Sequence, residues 1–406
     1  MKRSQVVRSF HDLAAGNLDQ EMPVVTLFSG GLDSTYLLYR LRQAGHCRIH
    51  AISVDVGGDE TPEEKQRIAD RLDITLHIVD ARETFAREFI APAVAAQSVY
   101  LNTHPISSSL SRPLMARIAV DMAEDIGASA VLHTANRSQN TLRRLNGAFN
   151  LLGFSGRYGS PYELEPVNRA QKIEELKEVG LDEMANRIVS GDSNLWCREF
   201  ESGILEDPED HAVPEHLYRW SSPDRLAREA FMEVRFHEGV PVALNGSPLS
   251  LTELIRETNS RAGSFGIGRY SGLEHLTGGE KVLEIREMPA ACMLLNSYRH
   301  LETAVTDAET IREKMHMEQL WVREAVEGRW FGPLRAACQA FIGRCSTDVT
   351  GSVRWRLTPG SAQTTAIIAD KPLYLRDREA WEKENITDAL PGSQCRNMSG
   401  DVVSTG

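Results

Sequence analysis

The stretch Val24-Val25-Thr26-Leu27-Phe28-Ser29-Gly30-Gly31-Leu32-Asp33-Ser34, running on into Tyr36, Leu37, Leu38 and Leu41, decides the fold. Residues 24–28 form a short apolar run behind Pro23 and read as a buried strand. Asp33 or Ser34 can cap the helix that follows, whose leucines and Tyr36 make an apolar face before Gly45 ends it. The loop between strand and helix carries the chemistry. Its two glycines let the backbone approach an oxyanion closely, and the helix start offers unpaired N–H groups and the positive end of its dipole. Ser29 and Ser34 add hydroxyls, so the loop suits a pyrophosphate group. It holds no lysine and does not match G-x-x-x-x-G-K-S/T, and the G-x-G-x-x-G spacing of dinucleotide folds is missing too. A tight turn with a helix cap is the plainer reading of the same letters.

Outward from this loop the alternation continues. Strands are expected at 49–54, 75–79 and 130–133, with a helix opened by the Thr61-Pro62-Glu63-Glu64 capping box to 72 and helices over 85–96 and 113–126. This predicts an α/β fold with a parallel, doubly wound sheet covered by helices on both faces. Ligands of such sheets sit beyond the carboxyl ends of the strands, so loops 28–34, 54–60 and 133–141 are expected to line one site. From about Ser190 the pattern becomes α+β: an antiparallel pair at 232–236 and 241–244, helices over 251–262, 289–301, 307–326 and 332–341, then strands at 351–357 and 364–368. The expected division is an N-terminal extension (1–22), a nucleotide-binding domain (23–185), a second domain (186–370) and a C-terminal arm and tail (371–406) with one short helix over 376–383.

Composition narrows the class. Lys plus Arg total 45 against 57 Asp plus Glu, a formal charge of −12 over 406 residues, which argues against nucleic acid or an anionic membrane as the main partner. The six cysteines include no C-x-x-C pair, so neither a zinc ribbon nor a disulfide framework is indicated and no residue is assigned as a metal ligand. The first residues lack a secretory h-region, and no run approaches the length of a membrane helix. A soluble cytoplasmic protein acting on small molecules is expected. Trp196, Trp321, Trp330 and Trp355 read as core, and Cys197 as structural.

The Ser29–Ser34 loop resembles the S-G-G-x-D-S/T loop of the ATP pyrophosphatase (PP-loop) enzymes, which split ATP between its α and β phosphates and adenylate an oxygen that a nucleophile later displaces. Further segments, in the same order, resemble argininosuccinate synthase: Ser109-Leu110-Ser111-Arg112-Pro113, Asn194-Leu195-Trp196, the stretch from Glu201 to Pro208, Gly266-Ile267-Gly268-Arg269 with Glu274, and Trp330-Phe331-Gly332-Pro333. The resemblance implies a second, synthetase domain, a C-terminal arm that helps build a homotetramer, and a ligase that uses ATP with Mg²⁺. It implies ATP contacts by Phe28, Ser29, Gly30, Gly31, Asp33, Ser34, Val54, His133, Thr134 and Asn136, with Ser29, Asp33 and Arg112 the catalytic set. His133 would shape its loop rather than titrate. The implied contacts to the acceptor and amine are His104, Ser109, Asn136, Asn140, Thr141, Arg144, Ser190, Glu199, Glu274 and Arg286.

Several of these positions depart from the family pattern. His104 stands for a Tyr, Glu199 for a Ser and Arg286 for a Tyr, while Asn136 replaces a Thr and Thr141 replaces an Asp in the second fingerprint, 134–145. Two new charges in one pocket need partners if desolvated, either the substrate or each other. The main expectation is therefore an AMP- and pyrophosphate-forming ligase acting on a ureido, amide or carboxyl acceptor and an amine, with a substrate pair changed from citrulline and aspartate. The alternatives are an authentic argininosuccinate synthase that has drifted, a PP-loop sulfur transferase and a regulatory paralogue. The acidic charge and missing paired thiols speak against sulfur transfer, and the intact loop speaks against a regulator.

Overall fold

A computed structural model describes residues 5–14, 17–59, 61–181, 190–201, 203–205, 207–223, 228–276 and 278–385. In chain order the first half contains β1 (Val6–Val7), β2 (Val24–Leu27), α1 (Leu32–Gln43), β3 (Ile49–Asp55), α2 (Pro62–Arg71), β4 (Thr75–Asp80), α3 (Arg82–Phe85), α4 (Ala91–Ala95), β5 (Val99–Tyr100), β6 (His104–Pro105), α5 (Ser108–Asp125), β7 (Ala130–Leu132), α6 (Thr141–Leu152), β8 (Arg157–Gly159) and α7 (Arg169–Lys177). The parallel sheet is present, with order β1-β8-β7-β2-β3-β4 and every pair parallel. Its central strands β2 and β7 are apolar on both faces because helices cover both sides. The order reverses around β2, so the loops after β2, β3 and β7 open at one edge of the sheet, where such folds bind ligands.

Four local expectations need correction. The helix after the glycine loop is capped by Gly31, which places Asp33 and Ser34 inside its first turn rather than at the cap. The capping box on α2 is incomplete: Thr61 is the N-cap and Pro62 opens the helix, but the Thr61 hydroxyl donates to Glu64 (3.3 Å) instead of accepting from the backbone. Proline at 113 suggested a helix start, yet α5 begins at Ser108 and contains Pro113 in its second turn, so Ser109 and Arg112 ride on a helix. The helix expected over 85–96 is interrupted between α3 and α4 by a π-helical turn at Ala86–Ile90. The segment before Pro23 is part of the sheet, since β1 pairs with β8 and Phe10, Leu13 and Leu18 are buried.

The second half contains β9 (Ser190–Ser193), β10 (Arg198–Glu201), β11 (Ala230–His237), β12 (Val240–Leu244), β13 (Ser247–Pro248), α8 (Leu251–Gly263), β14 (Arg269–His275), β15 (Lys281–Glu287), α9 (Pro289–Val305), α10 (Ala308–Val326), α11 (Pro333–Ser346), β16 (Gly351–Thr358), β17 (Ser361–Ala369) and α12 (Arg378–Asn385). The expected pair at β11 and β12 is joined with β16 and β17 in a five-stranded antiparallel sheet, β13-β12-β11-β16-β17. A second antiparallel sheet, β14-β15-β10-β9, has no counterpart in the sequence reading. Its alternation is hidden because buried charges stand on both faces, Glu274, Glu284 and Arg286 on one and Glu287 on the other. One hydrophobic core runs through both halves, with Phe89 stacked on Trp330 at 4.8 Å and Trp196 and Trp321 fully buried beside it. All four tryptophans singled out are core.

Two backbone contacts fix the second sheet against the nucleotide loops. Leu195 N–H donates to the Val56 carbonyl (2.7 Å), and a Cβ at Gly58 would lie 2.5 Å from the Ser193 carbonyl, so glycine is required at the crossing. Asn194, within the Asn-Leu-Trp motif, accepts from Trp196 and Cys197 N–H and donates to Ser107 (3.1 Å). That motif is a brace. Cys197 is buried, which pushes its thiol pKa up and leaves it unreactive.

Candidate active site

A cavity of about 690 Å³ lies between the loops after β2, β3 and β7 and the inner face of the β9-β10-β14-β15 sheet. Phe28, Ser29, Gly31, Asp33, Ser34, Val54, His133 and Thr134 line its nucleotide end, and the three loops expected to share one site do so. Gly30 has φ +77°, a conformation that glycine adopts freely. The loop is held in shape by its own serines: Ser29 Oγ accepts from Gly31 N–H (3.3 Å) and lies 3.2 Å from Ser34 Oγ, which donates to the Gly31 carbonyl (3.1 Å). Such a preformed cradle at a helix start suits the phosphates of ATP.

Asp33 is tied down on both sides. Its carboxylate lies 2.5 Å from Lys172 Nζ, and its carbonyl accepts from Tyr162 OH (2.9 Å), whose ring lies 4.9 Å beneath the same ammonium. Lys172 on α7 thus anchors the loop's one carboxylate. Buried His133 accepts from Ala135 N–H on Nδ1 (3.2 Å), so Nε2 carries the proton and donates to Asn146 (3.0 Å). Burial pushes its pKa down to about 4, so the ring is neutral and shapes the loop. Asn136 lies in this loop but does not line the cavity: its Oδ1 accepts from Ser138 N–H (3.0 Å) and Oγ (2.6 Å), and Ser138 and Gln139 form the wall instead.

At the other end the expected residues separate into two groups. Asn140, Thr141, Arg144, Glu199, Glu274 and Arg112 line the cavity. Ser109 is buried one step behind Ser108, and His104 is buried against Gly272, with burial and then the Arg286 charge pushing its pKa down to about 3. The side chain of Ser190 lies outside the described residues, as do Ser202 and Glu206; the Ser190 backbone pairs with Glu201.

The two charges at 199 and 286 meet each other. They are cross-strand partners on β10 and β15, with Arg286 Nε donating to Glu199 Oε2 (3.3 Å). Arg286 Nη2 also bonds Glu284 and lies 3.8 Å from Glu274. Glu274 is held from the opposite side by Arg144 Nη2 (2.6 Å), whose Nη1 donates to Ser108 (2.8 Å). Arg112 pairs with Asp192 at 2.6 Å, and Asn140 donates to the His275 carbonyl (2.9 Å). Of the basic residues in the second fingerprint, Arg144 alone lines the cavity; Arg143 pairs with Glu327 (3.1 Å) and Arg137 is exposed.

Three acidic residues in this wall, Asp192, Glu201 and Glu284, escape the sequence reading. Strand period marks two of them, since Glu201 sits two residues from Glu199 and Glu284 two from Arg286, on the same faces. Burial raises the pKa of Glu199 and lifts that of Glu284 well above the usual carboxyl range. Burial and then the Glu199 charge push Glu201 up to about 7. Glu274 goes the other way: burial opposes its charge, but Arg144, a hydrogen bond from Glu284 and Arg286 outweigh that. The two carboxyls are thus driven apart, Glu284 toward its protonated form by burial and Glu274 toward its ionised form by the arginines.

Known proteins resemble this chain along most of its length. Residues 23–178 match the family described as the arginosuccinate synthase N-terminal HUP domain, and residues 189–391 match the arginosuccinate synthase C-terminal domain. The argininosuccinate synthase of Rubrobacter xylanophilus is 32% identical over 369 residues, covering 90% of each chain. That of Methanocaldococcus jannaschii is 33% identical over 370 residues, covering 90% of this chain and 93% of its own. With a pyrophosphate cradle at the switch point of a parallel sheet and these matches along nearly its whole length, the chain belongs to the argininosuccinate synthase family of ATP-dependent, AMP- and pyrophosphate-forming C–N ligases.

Proposed function

We propose that this ligase adenylates the oxygen of an acceptor other than citrulline, one that carries a positively charged group beyond the α-ammonium citrulline already has, and then joins it to an amine with loss of AMP. The observation that carries this reading is the use of Arg286. Its guanidinium is paired with Glu199 and Glu284, lies 3.8 Å from Glu274 and does not line the cavity, so the arginine that replaces a family tyrosine spends its charge on the protein's own carboxyls. The cavity wall carries Asp192, Glu199, Glu201, Glu274 and Glu284 against Arg112 and Arg144, with Arg286 behind it rather than on it, and each of these arginines is already paired with a carboxylate. The three ion pairs use Asp192, Glu274 and Glu199, and burial pushes Glu284 toward its protonated form, so Glu201 is the carboxyl left to favour a cation, in the place where a family acceptor would meet hydroxyls.

Ser29, the Gly30-Gly31 backbone and Ser34 would hold the β and γ phosphates, and Asp33 would orient the loop through Lys172. Phe28, Val54 and Thr134 would flank the nucleoside. Mg²⁺ would arrive on the phosphates, since no cluster of three or more acidic, His or Cys side chains suited to a metal occurs among the described residues. Citrulline and aspartate should turn over poorly, because Thr141 cannot supply the charge of the aspartate expected near the incoming amine. The shared name of the relatives favours the second reading, in which the product is still argininosuccinate.

Pyrophosphate release by the purified protein decides between them. Ureido, amide and carboxyl acceptors, with and without a cationic substituent, would be screened against amine donors. The expected result is release that depends on a cationic acceptor, with AMP as the second product. Efficiency with citrulline and aspartate within about tenfold of a genuine argininosuccinate synthase, equivalent to about 1.4 kcal/mol in the barrier, would restore the second reading.

A further inference from the structure

We propose that Lys65, on α2, is a phosphate-binding residue of the nucleotide site and stabilises the pyrophosphate that leaves ATP. Lys65 lies outside the glycine loop in sequence, and no loop motif points to it. In space it lies on the loop. A Cβ placed on Gly30 would come 3.1 Å from Lys65 Cγ and 3.5 Å from Cε, so the lysine stem covers the residue whose bareness lets an oxyanion approach. The residue is only 5% exposed, its Nζ donates to Ser53 Oγ on β3 (2.6 Å), and it lines the same cavity as Ser29, Gly31 and Ser34. That seats an ammonium on β3 at the phosphate end of the cavity.

The second lysine of the cavity does not fill this role, because Lys172 holds the Asp33 carboxylate at 2.5 Å. When the bond between the α and β phosphates breaks, its electron pair goes to the bridging oxygen of the departing pyrophosphate. An ammonium fixed above Gly30 offsets that charge without rearrangement. The serines hold the loop, and Lys65 adds the positive charge that a neutral loop and a helix dipole supply only in part.

Calorimetry on the full chain with three probes, ATP, AMP and inorganic pyrophosphate, tests the assignment. Lys65→Met keeps the stem over Gly30 and removes the charge. It should weaken ATP and pyrophosphate by about tenfold or more, the size of a charge-assisted hydrogen bond, while AMP binding moves less than about twofold. Lys65→Arg should recover most of the loss. Equal losses for AMP and ATP would reduce Lys65 to a prop for the loop, and unchanged binding of all three would overturn the assignment. Should Lys65→Met fail to fold, Ser53→Ala decides: it releases Nζ from its anchor, and pyrophosphate affinity should fall by about two- to fivefold with AMP unaffected, whereas no change sinks the proposal. Wild type that binds none of the three would overturn the ligase reading itself, and the role of Lys65 with it.

Discussion

At the scale of single residues, function rests on how each charge is partnered. Asp33 is the clearest case. Its carboxylate was expected to cap a helix and to act on ATP, but the cap is Gly31 and the carboxylate is bound to Lys172. Asp33→Asn should lower the rate of AMP formation by about a hundredfold, in the range found for losing one positioned polar group in an active site. Full activity in that variant would leave Asp33 with no role beyond the start of α1. Glu201 gives a prediction in pH. Its carboxyl pKa is raised to about 7, so the folded protein keeps a proton that an unfolded carboxyl would have released, and folding stability falls as pH rises from the ordinary carboxyl range to about 7. Binding a cation runs the other way, because it favours the ionised form. The groups acting on Glu201 are Glu199, Glu274 and Asp192, which raise its pKa, and Arg286, which lowers it. For a cationic acceptor, KM should therefore fall between pH 6 and 8 with one ionisation near 7. Glu201→Gln should flatten that step, and an unchanged profile in the variant would assign the ionisation elsewhere.

At the scale of elements, the register of β10 against β15 decides the chemistry of the acceptor end. Pairing Glu199 with Arg286 across the ladder converts two charges into one buried ion pair, with Glu284 and Glu274 attached to the same guanidinium. Arg286→Met strands those carboxylates and should cost about 3–5 kcal/mol of stability, measured as a lower denaturant midpoint. Adding Glu199→Gln and Glu284→Gln should return a good part of it; no recovery would mean that the arginine acts by packing rather than charge. The same network bears on reverting the site toward citrulline and aspartate, since Glu199→Ser with Arg286→Tyr would leave Glu284 unmatched unless it too is neutralised. The glycine loop and the parallel sheet around it were legible in the sequence because a strand, two glycines and a helix are written contiguously. The second sheet was not, because its inward positions hold Glu and Arg, and burial turns a polar pattern into a core only once the partners are known. Lys65, Lys172 and Asp192 were invisible for a related reason. Lys172 and Asp192 reach the cavity from elements far along the chain, and Lys65 stands inside a charged helix start that reads as a solvated face.

At the scale of the whole molecule, the nucleotide and acceptor ends share one core and one cavity, so binding at one end can order the other without a hinge between separate bodies. Several of the large apolar side chains left exposed among the described residues lie at the C-terminal side. After β17 the chain is anchored by Leu373 N–H on the Ala304 carbonyl (2.8 Å) and by Tyr374 OH on the Ile367 carbonyl (3.2 Å). Beyond these bonds the side chains turn outward: Leu373 is 54% exposed, Leu375 49% and Trp381 48%, and α12 buries none of its residues. Exposing large apolar groups this close together in sequence is unfavourable in an isolated chain and would be relieved by a second copy. A homotetramer, the assembly that the family resemblance implies, would cover them. Light scattering at micromolar protein should then give the mass of a tetramer, and removal of residues 371–406 should give a smaller species that still binds ATP, because no residue from 371 to 385 lines the cavity. A monomeric mass for the intact chain would refute the assembly, and loss of ATP binding on truncation would show that the arm supports the site itself.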